Sequence, residues 1–302
     1  MAVNSFKMPP FVWFMGEVED NATDPEKLGR VKCRIFGYHS DDEEKIKTEH
    51  LYWAQVVSDI NSASFSGLGN SPTGMLKGTH VFGFFSDGEQ AQMPVIMGTL
   101  NGKVPDQKKS KYKGKKELYD DNEPDMNRLV RNDKIDKTIV KKKKDNLTEF
   151  DGVGGKKHKE RKTEYDAKYP FNQVLETEAG HIVEFDNTPD KERIQEYHTK
   201  GTFYEIYPDG GKVTKVVKDN YSIILGDDYL YVKGACNITV DGDCNIKVKG
   251  DCVTEIDGDK KETIKGNYQL KVTGDFDTTI NGSQNSTTSG LEKRKAQTIM
   301  LN

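Results

Sequence analysis

Glycine recurs at every eighth position near the end of this chain: Gly226, Gly234, Gly242, Gly250, Gly258, Gly266, Gly274, Gly282 and Gly290. The next residue is Asp in five of the eight units so bounded and Asn in one. The seventh position reads Val232, Val240, Val248, Ile256, Ile264, Val272 and Ile280 before it becomes Thr288. A fixed period held over this many units marks a repeat architecture and limits the fold more than any other feature of the sequence.

Side chains alternate along an extended strand, so the third, fifth and seventh positions of each unit share one face. That face carries Cys236/Ile238/Val240, Cys244/Ile246/Val248, Tyr268/Leu270/Val272 and Phe276/Thr278/Ile280, and the positions between are mostly polar, such as Thr239, Lys247, Glu255 and Lys271. Glycine followed by Asp or Asn is turn chemistry that permits positive φ. Each octad is therefore expected to be a six-residue strand and a corner. One strand and one corner make only one side of a prism. Three octads could close a triangular coil within one chain, or three chains could each supply one side per layer. The second arrangement seals the strand edges with neighbouring chains, as a parallel sheet requires. It predicts a narrow trimeric rod of roughly 38 Å, at ~4.7 Å per octad. Its core would be Val232, Ile238, Val240, Ile246, Val248, Ile256, Ile264, Leu270, Val272 and Ile280, and its corners Gly226 through Gly282 at the octad spacing.

The rest of the chain divides by composition. Residues 1–102 read as a compact β module, with candidate strands at 11–19, 30–37, 51–57, 80–86 and 95–99 separated by turn signals such as Asp24-Pro25, Pro72, Gly74, Gly78 and Asp87-Gly88. Five short strands fit a small OB-type barrel. Its aromatics, Trp13, Phe14, Tyr52, Trp53, Phe82, Phe84 and Phe85, are expected in the core. They could instead stack nucleic-acid bases, but this segment holds 8 Lys/Arg against 13 Asp/Glu, the wrong sign for a groove that tracks phosphates. Residues 103–168 carry 21 Lys/Arg against 14 Asp/Glu and read as a basic linker, extended or poorly ordered alone. The run Lys141–Lys144 is expected to be solvated or to rest on an acidic neighbour, and the islands Leu129-Val130 and Ile139-Val140 suggest parts that dock as isolated strands. Residues 169–225 are strand-like again and read as a β-prism neck that tapers into the octads of 226–290, with 291–302 forming a short basic tip. The fold class is thus all-β.

Few sites of chemistry stand out. Cys236, Cys244 and Cys252 repeat at the octad period in the third position, without the close pairing of zinc sites, and read as small buried hydrophobes; no metal and no cofactor is expected. The six histidines form no HxxxH or HExxH pattern. The acids Asp227, Asp243, Asp251, Asp259 and Asp275 recur at corners, which argues for structure over a polysaccharide-cleaving pair. The N-terminus lacks a basic start with an apolar stretch and no apolar run reaches membrane-spanning length, so the protein is expected to stay in the cytoplasm where it is made.

Four stretches together resemble the central spike proteins of contractile-tailed phage baseplates, relatives of the valine–glycine-repeat spikes of type VI secretion. They are FMGEVEDNATDPEKLGRVKCRIFGYH at 14–39, NSASFSGLGNSPTG at 61–74 with the GTHVFGFFSD and VIMGT that follow, ETEAGHIVEFDNTPDKERIQEYHTKGTFYEIYPDGGK at 176–212, and the octads. The resemblance implies a virion protein with a homotrimeric rod that pierces the host envelope. It also implies barrels docked on a separate trimeric hub protein, a tip-capping partner at the C-terminus, and no nucleic-acid partner. Some such spikes carry a lysozyme domain between barrel and rod; the interval 103–168 is far too short for one, so no enzyme activity is expected. The alternatives are a trimeric receptor-binding tail fibre and, further off, a β-helical enzyme acting on polysaccharide.

Overall fold

Alternation decides the first module. β1 (Val12–Asp20), β2 (Val31–Ile35), β3 (Trp53–Val56), β4 (His80–Phe85) and β5 (Pro94–Thr99) close a barrel in the order β1-β2-β3-β5-β4. All neighbours are antiparallel except β3 and β5. The computed structural model of the chain describes residues 10–102 and 125–298. The first part of the expected linker, 103–124, and the end of the expected tip, 299–302, lie outside those residues. The barrel strands fall within a residue or two of their expected places.

The barrel core is Phe14, Val18, Val31, Cys33, Ile35, Ala54, Val81, Phe85 and Ile96. Of the seven aromatics expected there, only Phe14 and Phe85 belong to it. Trp13 and Tyr52 are exposed, and Trp53, Phe82 and Phe84 are partly so. The reason is steric. Glycine holds the interior positions beside them: a Cβ on Gly83 would stand 2.2 Å from the Val95 carbonyl oxygen and 2.8 Å from Phe14, and one on Gly16 would stand 2.6 Å from the Arg34 carbonyl oxygen. The interior is full, and period-two alternation sends Phe82 and Phe84 outward. β2 is buried on both sides, because the loop after it covers Arg34. That guanidinium pairs with Glu19 at 2.6 Å and donates to the Ser40 and Ile46 carbonyls. Beside it, burial and the Glu19 charge push the Cys33 thiol up to about 12, so it stays protonated.

The turn between β1 and β2 is organised by Asp24. Its carboxylate accepts from the backbone N–H groups of Glu26, Leu28 and Arg30 and from the Arg30 guanidinium at 2.7 Å. Chiefly through Arg30, the carboxyl is held at about 2 against an ordinary 3.8. A depressed carboxyl stabilises the fold fully above its unfolded value and loses that contribution as pH falls through its folded one. An NMR titration should therefore place the Asp24 midpoint near 2, with the turn intact at pH 3.8; a midpoint at 3.8 would contradict this geometry.

The second module is an antiparallel meander. β8 (Asn172–Glu176), β9 (Ile182–Asp186), β10 (Arg193–Tyr197), β11 (Phe203–Ile206) and β12 (Lys212–Lys215) pair in sequence order. Residues 125–168 cover one of its faces. They do so as helices, not as the isolated strands expected: α1 (Arg128–Arg131) and α2 (Ile139–Asp145), followed by a small hairpin of β6 (Glu149–Asp151) and β7 (Lys157–Lys159). The two apolar islands are what dock. Leu129, Ile139 and Val140 pack with Tyr165, Ala167, Ile182, Tyr197 and Phe203. So this stretch, read as a linker from its charge, is folded from Asp125 onward, because a few apolar side chains and one lysine anchor it.

That covered face is charged. Arg193 lies at its centre, bonding Glu184 at 3.0 Å and also Glu205, and all three are at most 2% exposed. Lys143 of α2 reaches in to pair with Glu205 and donates to Gln195 at 2.7 Å, while Thr163 donates to Glu205 at 2.7 Å. Asn172 and Gln195 donate to Glu184 at 2.8 and 3.0 Å. Burial raises the Glu184 carboxyl above its ordinary value, against the pull of Arg193. Burial would raise Glu205 as well, but Lys143, Thr163 and Arg193 outweigh it and hold that carboxyl below its ordinary value. Burial also lowers Lys143. We take the Lys143–Glu205 pair as ionised, since the carboxylate accepts from three donors.

Candidate assembly surfaces

With one face of the meander covered, the opposite face is left bare, and it is the more apolar of the two. It carries Leu175 of β8, Val183 and Phe185 of β9, Ile194 of β10, and Tyr204 and Ile206 of β11. Register brings them together: Leu175 lies opposite Val183, Phe185 opposite Ile194, and Ile194 opposite Ile206. Leu175 is 62% exposed and Phe185 49%. The sheet buries Arg193, Glu184, Asp186 and Glu205 beside Ile182, Tyr197 and Phe203, and shows Leu175, Phe185 and Ile194 to water, unlike a half-solvated antiparallel sheet with an apolar side in and a polar side out. Sequence reasoning read strands at 182–185, 193–197, 203–207 and 213–217 but missed β8 and placed one at 221–225 where none forms, and it did not say which face is covered, because an alternating pattern alone does not. A signal was present, since the outward row is the more apolar one.

The octads follow within a few residues. The chain divides into two units between Asp241 and Gly242, and octads on either side have the same local form. The chain bends at each glycine and the residue before it, from Leu225-Gly226 to Ser289-Gly290. The same bend occurs one period earlier, at Val217-Lys218, which places Ile224 at a seventh position. The repeat therefore begins at Lys218, a unit that the sequence reading missed because lysine stands where glycine recurs. The corners are where the spacing put them, but their chemistry differs from expectation. None of the glycines from Gly226 to Gly290 has a left-handed φ, and a Cβ added at any of them would meet open space in the single chain. Nothing within one chain requires glycine there.

The structure brings none of the ten expected core residues together in one chain. Among the described residues from 218 to 298 there is no strand pairing and no backbone–backbone hydrogen bond, and every residue is exposed. Val232, Val240, Val248, Ile256, Ile264, Val272 and Ile280 are each 45–52% exposed, so one conformation repeats. Ile238, Ile246 and Leu270 are more exposed still, and Cys236, Cys244 and Cys252 are free and exposed. Coils closed within the chain would show paired strands and a covered column; neither is present. The exposed backbone groups can bond to water, but apolar side chains repeated on one face at a fixed period make the kind of surface that marks an interaction site.

Comparison with known proteins bears on what that surface is. Residues 37–181 match the family of the Gp5 N-terminal OB domain, a span that takes in β3 to β5 and runs through the folded part of the basic segment to the start of β9. The chain is 39% identical to Protein Gp5 of Vibrio phage KVP40 over 254 residues, covering 71% of this chain and 59% of that protein. It is 43% identical over 97 residues to the pre-baseplate central spike protein Gp5 of Enterobacteria phage T4, covering 30% of this chain and 16% of that protein. The chain thus spans about three fifths of the first relative and less of the second. The resemblance to phage baseplate spike proteins drawn from the sequence, and the all-β class with an OB-type barrel, are met by these matches.

Proposed function

We propose that this chain, a relative of the Gp5 spike proteins, is the central spike of a contractile-tailed phage baseplate. It would act in the virion as a homotrimer whose barrels dock on a separate hub protein and whose rod is driven through the host envelope. One observation carries the reading: a run of octads whose apolar column and backbone groups find no partner within the chain. Three copies related by a threefold axis would give each octad strand a neighbour on both edges and enclose the column. The bare face of the neck sheet supports the same reading, since it enters the octads directly and three such faces could cover one another. Glycine at each corner is then explained by the close passage of a neighbouring chain.

The mechanism is mechanical. Contraction of the sheath pushes the tube, and a narrow stiff rod concentrates that force on a small area of membrane. Strands bonded across three chains must be sheared together, which favours slow, irreversible unfolding. We assign no lysozyme role, because residues 125–168 are engaged in covering the neck sheet. A C-terminal tip partner fits the polar end of the column at Gln284, Ser286 and Thr288. On a detergent gel run without heating, the protein should migrate as a trimer and collapse to single chains only after boiling; single chains in the unheated lane would contradict the intertwined rod.

A further inference from the structure

The residue before each octad glycine carries a pattern that the eight-residue period does not explain. It reads Lys233, Asp241, Lys249, Asp257 and Lys265, opposite charges alternating over five successive octads, before neutral Thr273 and Asn281 follow. These residues lie at the repeated bends, and all are exposed. Among the described residues, the ion pairs beyond Lys218 are Lys260–Glu262 and Glu292–Arg294, so none of the five charges is partnered within its own chain. A solvated corner asks only for a polar residue. Strict alternation of sign asks for a neighbour that reads it.

In a threefold rod each layer holds one octad strand from each chain. Each chain turns to the next side and rises one strand spacing, ~4.7 Å, at every corner. Directly above an octad on its own side therefore lies the next octad of a second copy, and directly below it the preceding octad of the third. Equal positions stack, so Lys233 meets Asp241 of a second copy and Asp241 meets Lys249. The alternation becomes a column of opposite charges that crosses a chain boundary at every step. Opposite charges on neighbouring strands stabilise a sheet and like charges destabilise it. A chain displaced by one octad would set lysine on lysine and aspartate on aspartate. The apolar column hardly resists that slip, since its seventh position is Val or Ile throughout Val232 to Ile280, and glycine-rich strands specify register weakly. Asp243, Asp251 and Asp259 do not alternate and read the same in either alignment. We infer that Lys233, Asp241, Lys249, Asp257 and Lys265 form a register lock, through which each chain accepts the next octad of a second copy and rejects a copy displaced by one repeat. The inference rests on the homotrimer proposed above and sets its alignment.

Exchanging the signs tests this without touching an apolar contact. The full-length variant Lys233→Asp, Asp241→Lys, Lys249→Asp, Asp257→Lys, Lys265→Asp keeps the alternation and should form trimers alone as the parent does. In a mixed trimer, parent lysine meets variant lysine wherever unlike chains adjoin. With parent and variant co-expressed equally, native mass spectrometry should find mixed trimers at least about tenfold below the roughly three-to-one excess over like trimers that random association gives. A tagged parent copy co-expressed with the parent should mix at random; equal sorting there would assign it to synthesis and overturn the inference. Mixed trimers at the random share would overturn it, and so would failure of the variant to trimerise alone. The half-exchanged variant Asp241→Lys, Asp257→Lys sets lysine on lysine through five octads. It should melt below the parent at low salt, and the gap should close near ~1 M salt, where such charges are screened. No gap at low salt, or one that salt leaves unchanged, would overturn the lock. A parent that sizes as a single chain defeats the homotrimer itself, whereas trimers that mix at random defeat only this inference.

Discussion

Ile256→Asp should yield single chains of 34.1 kDa in place of an assembly, with barrel and neck still folded. Ile256 sits at the seventh position of its octad and is half exposed in the lone chain, touching nothing that folds it. Replacing it therefore costs the single chain almost nothing. In a threefold rod the same change places three carboxylates in one dry layer, and desolvating each costs several kcal/mol with no cation near to offset it. The expected effect is thus all on assembly and none on the circular dichroism of the remaining strands. Val248→Asp should behave alike, and Lys247→Asp, one residue away on the polar face, should assemble normally. If Ile256→Asp formed normal trimers, the apolar column would not be the interior.

Arg193→Met should be the most damaging change in the neck. It removes the cation between Glu184 and Glu205 in a site at most 2% exposed. Breaking a buried ion pair by deleting one partner typically costs about 3–5 kcal/mol. At about 4–8 °C per kcal/mol for a module of fewer than about 100 residues, that corresponds to a fall of roughly 12–40 °C in the midpoint of the neck transition. Arg193→Lys should lose less but not recover fully, since an ammonium cannot fork to two carboxylates as a guanidinium does. The pH dependence follows from the carboxylates left behind. Without the arginine, Glu184 favours its protonated form still more in the folded state, so the folded state gains as pH falls towards its raised value. The deficit against the parent should therefore be larger at pH 8 than at pH 5. An unchanged midpoint at pH 8 would mean that the Leu129–Ile139–Val140 contacts alone hold α1 and α2 on the sheet.

These two sites differ in how far the sequence discloses them. The octad column is legible because its signal is strictly local: a period, a corner residue and an apolar seventh position recur without tertiary help. Even there, Lys218 hid the first unit, and the reason for glycine could not be read from turn chemistry. The barrel strands were placed by alternation and turn residues, yet the side facing inward at β4 was not, because Val81, Phe82, Gly83, Phe84 and Phe85 are apolar or small throughout. Only the contact of Gly83 with Val95 and Phe14, 12 and 69 residues away along the chain, settles it. The neck network was illegible for a similar cause. Lys143 belongs to a run of four lysines expected to be solvated or to rest on an acidic neighbour; Lys143 does the latter, but nothing local names that neighbour, Glu205, 62 residues further on. Charge that pairs at such separation carries no mark in a local window.

The mass of the purified full-length protein in solution decides most directly whether one chain or three make the rod. Light scattering or sedimentation equilibrium should return three times 34.1 kDa at concentrations down to the detection limit, with no fraction at the single-chain mass. A stable, folded species of 34.1 kDa would contradict the account, because the exposed column of Val232 to Ile280 would then need no second copy to cover it.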